Sequence, residues 1–185
     1  MMLFLISYYI SNFYRGENLT ANEYFESIYS LDPRKIAERY KFLGEGISRK
    51  VYALNEDLVV KVAKGSEGIY QNSVEHYVFT HADNNFKKYL CPIIWFKPRL
   101  LIMKRAVSFK KITRSRFVDL RTIRPEPNSL NEINYYTSKF FLYYNDIRSA
   151  GSWGKLADEN VLIDYGCTNA FGDYYYDFIF SFLRY

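Results

Sequence analysis

A lysine in the middle of an apolar strand constrains this chain more than any other feature. Leu58-Val-Val-Lys-Val-Ala-Lys64 has the composition of a buried β-strand, yet it carries Lys61 at its centre. An unpaired ammonium inside a core costs several kcal/mol. The fold must therefore bring Lys61 an anion or lead it out to solvent. Glu75 stands fourteen residues later, in GIYQNSVEHYVFTHA, where Ile69, Tyr70, Val74, Tyr77 and Val78 fall near one helical face. A helix there, laid across the strand, would put Glu75 within reach of Lys61.

Two further stretches raise the same kind of question. Gly44-Glu-Gly46-Ile-Ser-Arg49-Lys-Val51 reads as a glycine-rich turn between two strands. Glycines there would let backbone amides approach phosphate oxygens, or would simply shape a hairpin. In Val161-Leu-Ile-Asp-Tyr-Gly166, three apolar residues run straight into Asp164. That carboxylate is either a metal ligand at a phosphate site or the cap of an ordinary turn.

Bulk properties narrow the classes. At 185 residues the chain suits one domain, or one with a small appendage, and 49% apolar with 19% aromatic residues argues against disorder. A net charge of +5 favours anionic partners without choosing among them. With two cysteines, Cys91 and Cys167, and two histidines, His76 and His81, neither a disulfide framework nor a zinc cluster nor a serine–histidine–aspartate triad is expected. The opening MMLFLISYYI has no basic residue before the apolar run and is too short to span a membrane. It reads as a packing segment of a cytoplasmic protein.

The order of elements is α+β. Thr20-Ala-Asn-Glu23 has the form of a capping box, and Asp32-Pro33 supplies a cap and first-turn proline for a second short helix. KFLGEG, KVYALN and LVVKVAK read as strands, with a turn at Asn55-Glu56-Asp57; the helix with Glu75 follows, then strands CPIIWF and RLLIMKRA. Ser129-Leu-Asn-Glu132 has the form of another capping box, for a helix to about Tyr144. A glycine-containing turn, a hairpin around Lys155 to Asn160 and a C-terminal helix complete the chain. That last helix has Tyr175, Phe178, Ile179 and Phe182 near one face.

Taken together, turn, strand lysine, helix glutamate and strand-end aspartate resemble the protein-kinase-like fold over roughly residues 42 to 170. The resemblance implies a five-stranded antiparallel N-lobe and hinge over 42–106 and an abbreviated helical C-lobe over 107–185, with 1–41 as an extension. It implies ATP and Mg²⁺ as cofactors, with Gly44, Gly46 and Val51 covering the nucleotide. Lys61, paired with Glu75, would hold the phosphates, and Met103 would back the adenine pocket. The backbone of Lys104 to Ala106 would face the adenine edge. Asp164-Tyr165-Gly166 resembles the family's Asp-Phe-Gly, making Asp164 the metal ligand.

Three departures stand out. Arg49 replaces the third glycine of the loop. No His-Arg-Asp triplet exists; Asn145-Asp-Ile-Arg-Ser-Ala-Gly-Ser152-Trp-Gly154 resembles the loop of small phage and bacterial kinase-like proteins, with Asp146 as base and Ser152 in place of the metal-binding asparagine. Asn160 stands too close to Asp164 to be that asparagine and reads as a hairpin turn residue. Only nineteen residues follow Gly166, far fewer than a peptide-docking lobe needs.

The stretch 104–124 adds eight basic residues against one acid, a net of +7. It is either a solvated surface segment or a recruiting patch for an acidic protein partner or, secondarily, a nucleic acid. The expected function is Mg-ATP-dependent phosphoryl transfer to a hydroxyl acceptor, of the serine/threonine protein kinase type or a related one. The alternatives are a catalytically impaired pseudokinase that regulates through protein contacts, and a nucleic-acid-binding module. A homo-oligomer that completes the short lobe is a further expectation.

Overall fold

The computed structural model describes residues 20–183, so MMLFLISYYI and its expected packing role lie outside the described residues. The chain divides into two units, Met1–Tyr40 and Lys41–Tyr185. Elements are numbered from Thr20 onward.

In the first unit, α1 (Ala21–Tyr29) opens on the expected capping box. The Thr20 hydroxyl accepts the Glu23 amide at 3.3 Å and the Glu23 carboxylate accepts the Thr20 amide at 2.7 Å. Two otherwise orphaned donors are thereby satisfied. Asp32 caps α2 (Pro33–Arg39) through the Arg34 amide, with Pro33 in the first turn. Phe25, Ile28 and Ile36 are buried.

The second unit opens with a five-stranded antiparallel sheet. Its strands are β1 (Lys41–Glu45), β2 (Arg49–Ala53), β3 (Leu58–Ala63), β4 (Ile93–Lys97) and β5 (Leu100–Lys104), in spatial order β1-β2-β3-β5-β4. Central β3 is buried along nearly its whole length, Lys61 included. Helix α3 (Ser66–His81) lies on this sheet, burying Val74 and Val78 of the predicted face, with Tyr70 and Tyr77 partly buried against the core. Asn72, Ser73 and Glu75 turn inward with Val74 and Val78, while Ile69 is exposed. Two of these polar residues, Asn72 and Glu75, supply acceptors to Arg49 and Lys61 on the strands beneath.

After the short helix α4 (Asn84–Lys87), the core continues into α6 (Ser129–Lys139), where the Phe86 and Tyr136 rings stack at 4.6 Å. The capping box expected at Ser129 does not form. Ser129 donates to the Arg124 carbonyl instead, and Glu132 accepts from the Tyr89 hydroxyl at 2.6 Å and pairs with Lys88 at 2.7 Å. The cap position belongs to Asn128, at φ +65°, a left-handed conformation that asparagine tolerates. The helix also stops at Lys139 rather than near Tyr144. Phe141, at φ +52°, reverses the chain before the one-turn helix α7 (Tyr144–Ile147).

Within the basic stretch lie β6 (Val107–Ser108) and α5 (Leu120–Ile123). β6 joins β7 (Trp153–Leu156) and β8 (Glu159–Leu162) in a small antiparallel sheet. Asn160 sits within β8 opposite Lys155, and its side chain donates to the Ile123 carbonyl at 2.8 Å. It is not the hairpin's turn residue; Ala157, at φ +52°, and Asp158 form the turn. Amide bonds Leu162 to Tyr89 (2.7 Å) and Cys91 to Leu162 (2.8 Å) fasten β8 to the chain entering β4.

Helix α8 (Ala170–Leu183) packs through Gly172 and Tyr176, not through the face predicted from Tyr175, Phe178 and Phe182. A Cβ on Gly172 would come within 2.8 Å of the Phe141 and Thr168 side chains, so glycine admits the close approach that sets the helix's rotation. Phe178 and Phe182 are left mostly exposed. Among the described residues no helix is long and apolar enough to cross a membrane.

Candidate functional site: a buried cluster of two cations and two carboxylates

Lys61 finds its anion where the sequence places it. The ammonium donates to both Glu75 carboxylate oxygens at 2.8 Å and to the Ile163 carbonyl at 2.6 Å. Both side chains are buried, Glu75 completely. The Ile163 bond matters because the next residue is Asp164, whose carboxylate lies 3.8 Å from the same ammonium. Strand β3, helix α3 and the end of the β7–β8 hairpin thus meet at one side chain.

Arg49 enters the same cluster, and residue patterning alone shows it only as a missing glycine. From the first position of β2 its side chain runs inward and is 6% exposed. It donates to Asn72 Oδ1 at 3.2 Å, to Glu75 Oε1 at 3.0 Å and to the Asp164 carboxylate. Strand alternation was an available signal, since Arg49, Val51 and Ala53 share one face of β2. Burial works against the guanidinium's charge, but the carboxylates of Glu75 and Asp164 outweigh it and raise the Arg49 pKa. For Asp164, burial pushes toward the neutral acid, and Arg49 and Lys61 together hold the carboxyl below its ordinary value. Its side chain is 50% exposed, so this carboxylate faces outward from the cluster.

Glu75 is the hub. It accepts from Lys61, from Arg49 and from the Tyr165 amide at 3.1 Å. Gly166 follows so close to α3 that a Cβ there would meet the Gln71 carbonyl at 2.5 Å. A second polar chain runs alongside: the Ser48 hydroxyl donates to Gln71 Oε1 at 2.6 Å, and Gln71 Nε2 donates to the Cys167 sulfur at 3.5 Å. Burial first, and then the nearby Asp146 carboxylate, raises the pKa of the Cys167 thiol. The Ser48, Gln71 and Cys167 links are read only from the fold.

The other expected residues are placed as follows. Gly44 lies within β1 and Gly46 opens the turn before Arg49; a methyl group at either would meet no atom within 4 Å, but Gly44, at φ +158°, holds a backbone conformation that other residues rarely adopt. Val51 is half-buried opposite Lys61 on β3. Met103 is buried in β5 between Val59 and Ile93. The Lys104 amide donates to the Pro92 carbonyl at 2.9 Å and the Arg105 amide to Asp57 at 2.8 Å. Ala106 packs against Gly154, where a Cβ would lie 3.0 Å from its methyl. Asp146 sits in α7, partly buried. Its neighbours Tyr144 and Asn145 line an open cavity of about 450 Å³ with Asn134, Thr137 and Asn169. Ser152 is buried, and its carbonyl accepts the amides of Ile163 at 2.8 Å and Asp164 at 3.3 Å.

A divalent ion at Asp164 fits this arrangement poorly. The carboxylate is already the counter-ion of two cations, and among the described residues no three His, Cys, Asp or Glu side chains cluster as a metal site. Ser152 touches the Asp164 segment through its backbone, which is spent on strand-type bonds.

No family model matches the chain, and no curated protein matches it. Among solved structures it is similar to the ternary complex of streptomycin and ATP with APH(2")-IIa. That likeness has 22% identity, covers 51% of this chain and 32% of the other, and has a TM-score of 0.33. The chain therefore matches about a third of that protein's length.

Proposed function

We propose that this chain is a kinase-like nucleotide-binding protein that transfers a phosphoryl group to a hydroxyl acceptor. The observation that carries the reading is the buried Lys61–Glu75 pair, whose ammonium lies 3.8 Å from Asp164. A lysine held this way presents fixed positive charge at one point, which is what a phosphate chain needs for binding and for charge stabilisation during transfer. Amides of the Gly44–Ser48 turn cover the phosphates, Met103 and the Lys104–Ala106 backbone border the base, and Asp146 orients the acceptor hydroxyl. The cavity beside Asp146, lined by amides and tyrosines, receives an uncharged, hydroxyl-bearing part of that acceptor. An acidic acceptor is drawn by the basic stretch, whose Arg116 and Val118 bond through their backbones to Ala150 and Arg148 in the loop after Asp146.

One observation favours a second reading, a protein that binds phosphate but signals through a protein contact without transfer. Arg49 lies on Asp164, the group that the resemblance assigns to metal. Two measurements separate the readings. ATP at about 100 times its dissociation constant stabilises by about 2.7 kcal/mol, a rise of about 5 to 10 °C in melting temperature for a chain of this size. That rise should vanish in Lys61→Ala. No rise with any nucleoside triphosphate would end both nucleotide readings. A rise without ADP release by wild type, under conditions where Asp146→Asn behaves identically, would select the non-catalytic one.

A further inference from the structure

We propose that Arg49 stands in for a divalent cation, so that the cleft binds a polyphosphate chain without a metal ion. The identity of the ligand rests on the nucleotide reading above; the metal-free character rests on Arg49 alone.

Position comes first. Arg49 opens β2 directly after the glycine turn and reaches Asp164, tying the first hairpin of the sheet to the segment that follows β8. The fold is built around this side chain. A buried guanidinium is tolerated only when it is fully partnered, and here Asn72 and Glu75 on α3 and Asp164 beyond β8 each supply an acceptor. A residue that merely replaced a glycine would project into solvent, as Ile47 does at 90% exposure two residues earlier.

Charge comes second. Arg49 and Lys61 balance Glu75 and Asp164, so the cluster is neutral as it stands. A divalent ion arriving at Asp164 would enter beside two fixed cations, with a single half-exposed carboxylate to hold it. A phosphate oxygen arriving at the same place meets the opposite situation. It finds a guanidinium whose Asp164 partner is half-exposed and can be displaced, while the Lys61 ammonium, its three donors spent on Glu75 and Ile163, adds fixed charge beside it. Planar guanidinium and phosphate match geometrically, and such charge-assisted bonds are the strong ones.

The test is calorimetric titration with two probes, inorganic tripolyphosphate and ATP, each in EDTA and in Mg²⁺. The proteins are wild type, Arg49→Ala and Arg49→Lys, with melting curves to check folding. In the alanine variant Lys61 still partners both carboxylates, so neither is stranded. Wild type should bind each probe with affinities equal within about threefold in the two buffers, a difference under 1 kcal/mol. Arg49→Ala should weaken binding in EDTA by about tenfold or more, and Arg49→Lys by less, because it keeps the charge without the fork.

Wild-type affinity that is tenfold or more weaker in EDTA than in Mg²⁺ overturns the proposal. So does an alanine variant that binds like wild type in EDTA, and so does a lack of binding in both buffers. Tripolyphosphate bound without metal, with no gain from the adenosine of ATP, would sink the nucleotide reading while sustaining this one. ATP bound only with Mg²⁺ would do the reverse.

Discussion

Tyr165 carries a hydroxyl that the fold does not use. The side chain is 1% exposed, and its oxygen finds no hydrogen-bond partner among the described residues. A buried, unsatisfied hydroxyl costs about 1–3 kcal/mol, so Tyr165→Phe should leave stability unchanged or raise it by about 1 kcal/mol. A loss of more than about 1 kcal/mol in urea denaturation would mean that the hydroxyl is bonded after all. Asp164 gives the pH expectation. Its carboxyl is held below the unfolded value near 4, so its stabilisation is present above that value and fades as the pH falls through the lower folded one. The stability difference between wild type and Asp164→Asn should therefore be flat from about pH 5 to 8 and shrink below about pH 4. A difference that persists at pH 2 would detach it from ionisation. Lys61 and Glu75 were legible in the sequence because a charge inside an apolar strand demands an explanation. Arg49 was legible only through strand alternation with Val51 and Ala53, a signal outweighed by the expectation that a charged residue at a strand end points to water.

Elements held where local chemistry was sufficient and failed where packing overrode it. Thr20, Asp32 and Pro33 define α1 and α2 through bonds made within a few residues, and those are readable from sequence. Ser129 and Glu132 have the same local signature, but Arg124, Tyr89 and Lys88 claim their side chains from elsewhere in the fold. In helix α3 spacing finds the buried Val74 and Val78 and, in part, Tyr70 and Tyr77, but it does not show that Asn72, Ser73 and Glu75 share the buried side. That helix is also wedged against the strands by Gly68, where a Cβ would meet the Ser48 carbonyl at 2.4 Å and Ala63 at 2.9 Å. Gly68→Ala gains helix propensity of about 1 kcal/mol but forces backbone apart, and overpacking of this kind costs about 1–3 kcal/mol. The net expectation is a lower melting temperature together with a weaker Lys61–Glu75 pair, read as reduced phosphate affinity. An alanine variant that melts higher and binds as well as wild type would show that the helix has room to shift.

At the scale of the molecule, the basic stretch is not one feature. Arg124 is 3% exposed, with Glu126, Glu159 and the Asn160 carbonyl around it, and Arg105 pairs with Glu56. Lys110, Lys111, Arg114, Arg116 and Arg121 remain exposed. Reversing the charge of these five should weaken binding of an acidic peptide and flatten its salt dependence without lowering the melting temperature. Arg124→Gln should destabilise the protein and leave that salt dependence intact. Equal effects from both would mean that the stretch acts by structure alone. The sequence count of +7 could not make this division, because burial separates residues that composition adds together.

The convergence on Glu75 has a consequence for control. Helix α3 is tied down at Glu75, since its leaving would take that carboxylate from Lys61, Arg49 and the Tyr165 amide together, leaving Arg49 with Asp164 and Lys61 with the Ile163 carbonyl. Such an element is a bolt rather than a lever: either fully home or fully withdrawn. The amides of Asn72 to Val78 should then exchange with deuterium only when the whole second unit opens, at the same free energy as β3. A regulator meets this cluster from solvent at the exposed Gly46–Ile47 turn and at the half-exposed Asp164 carboxylate.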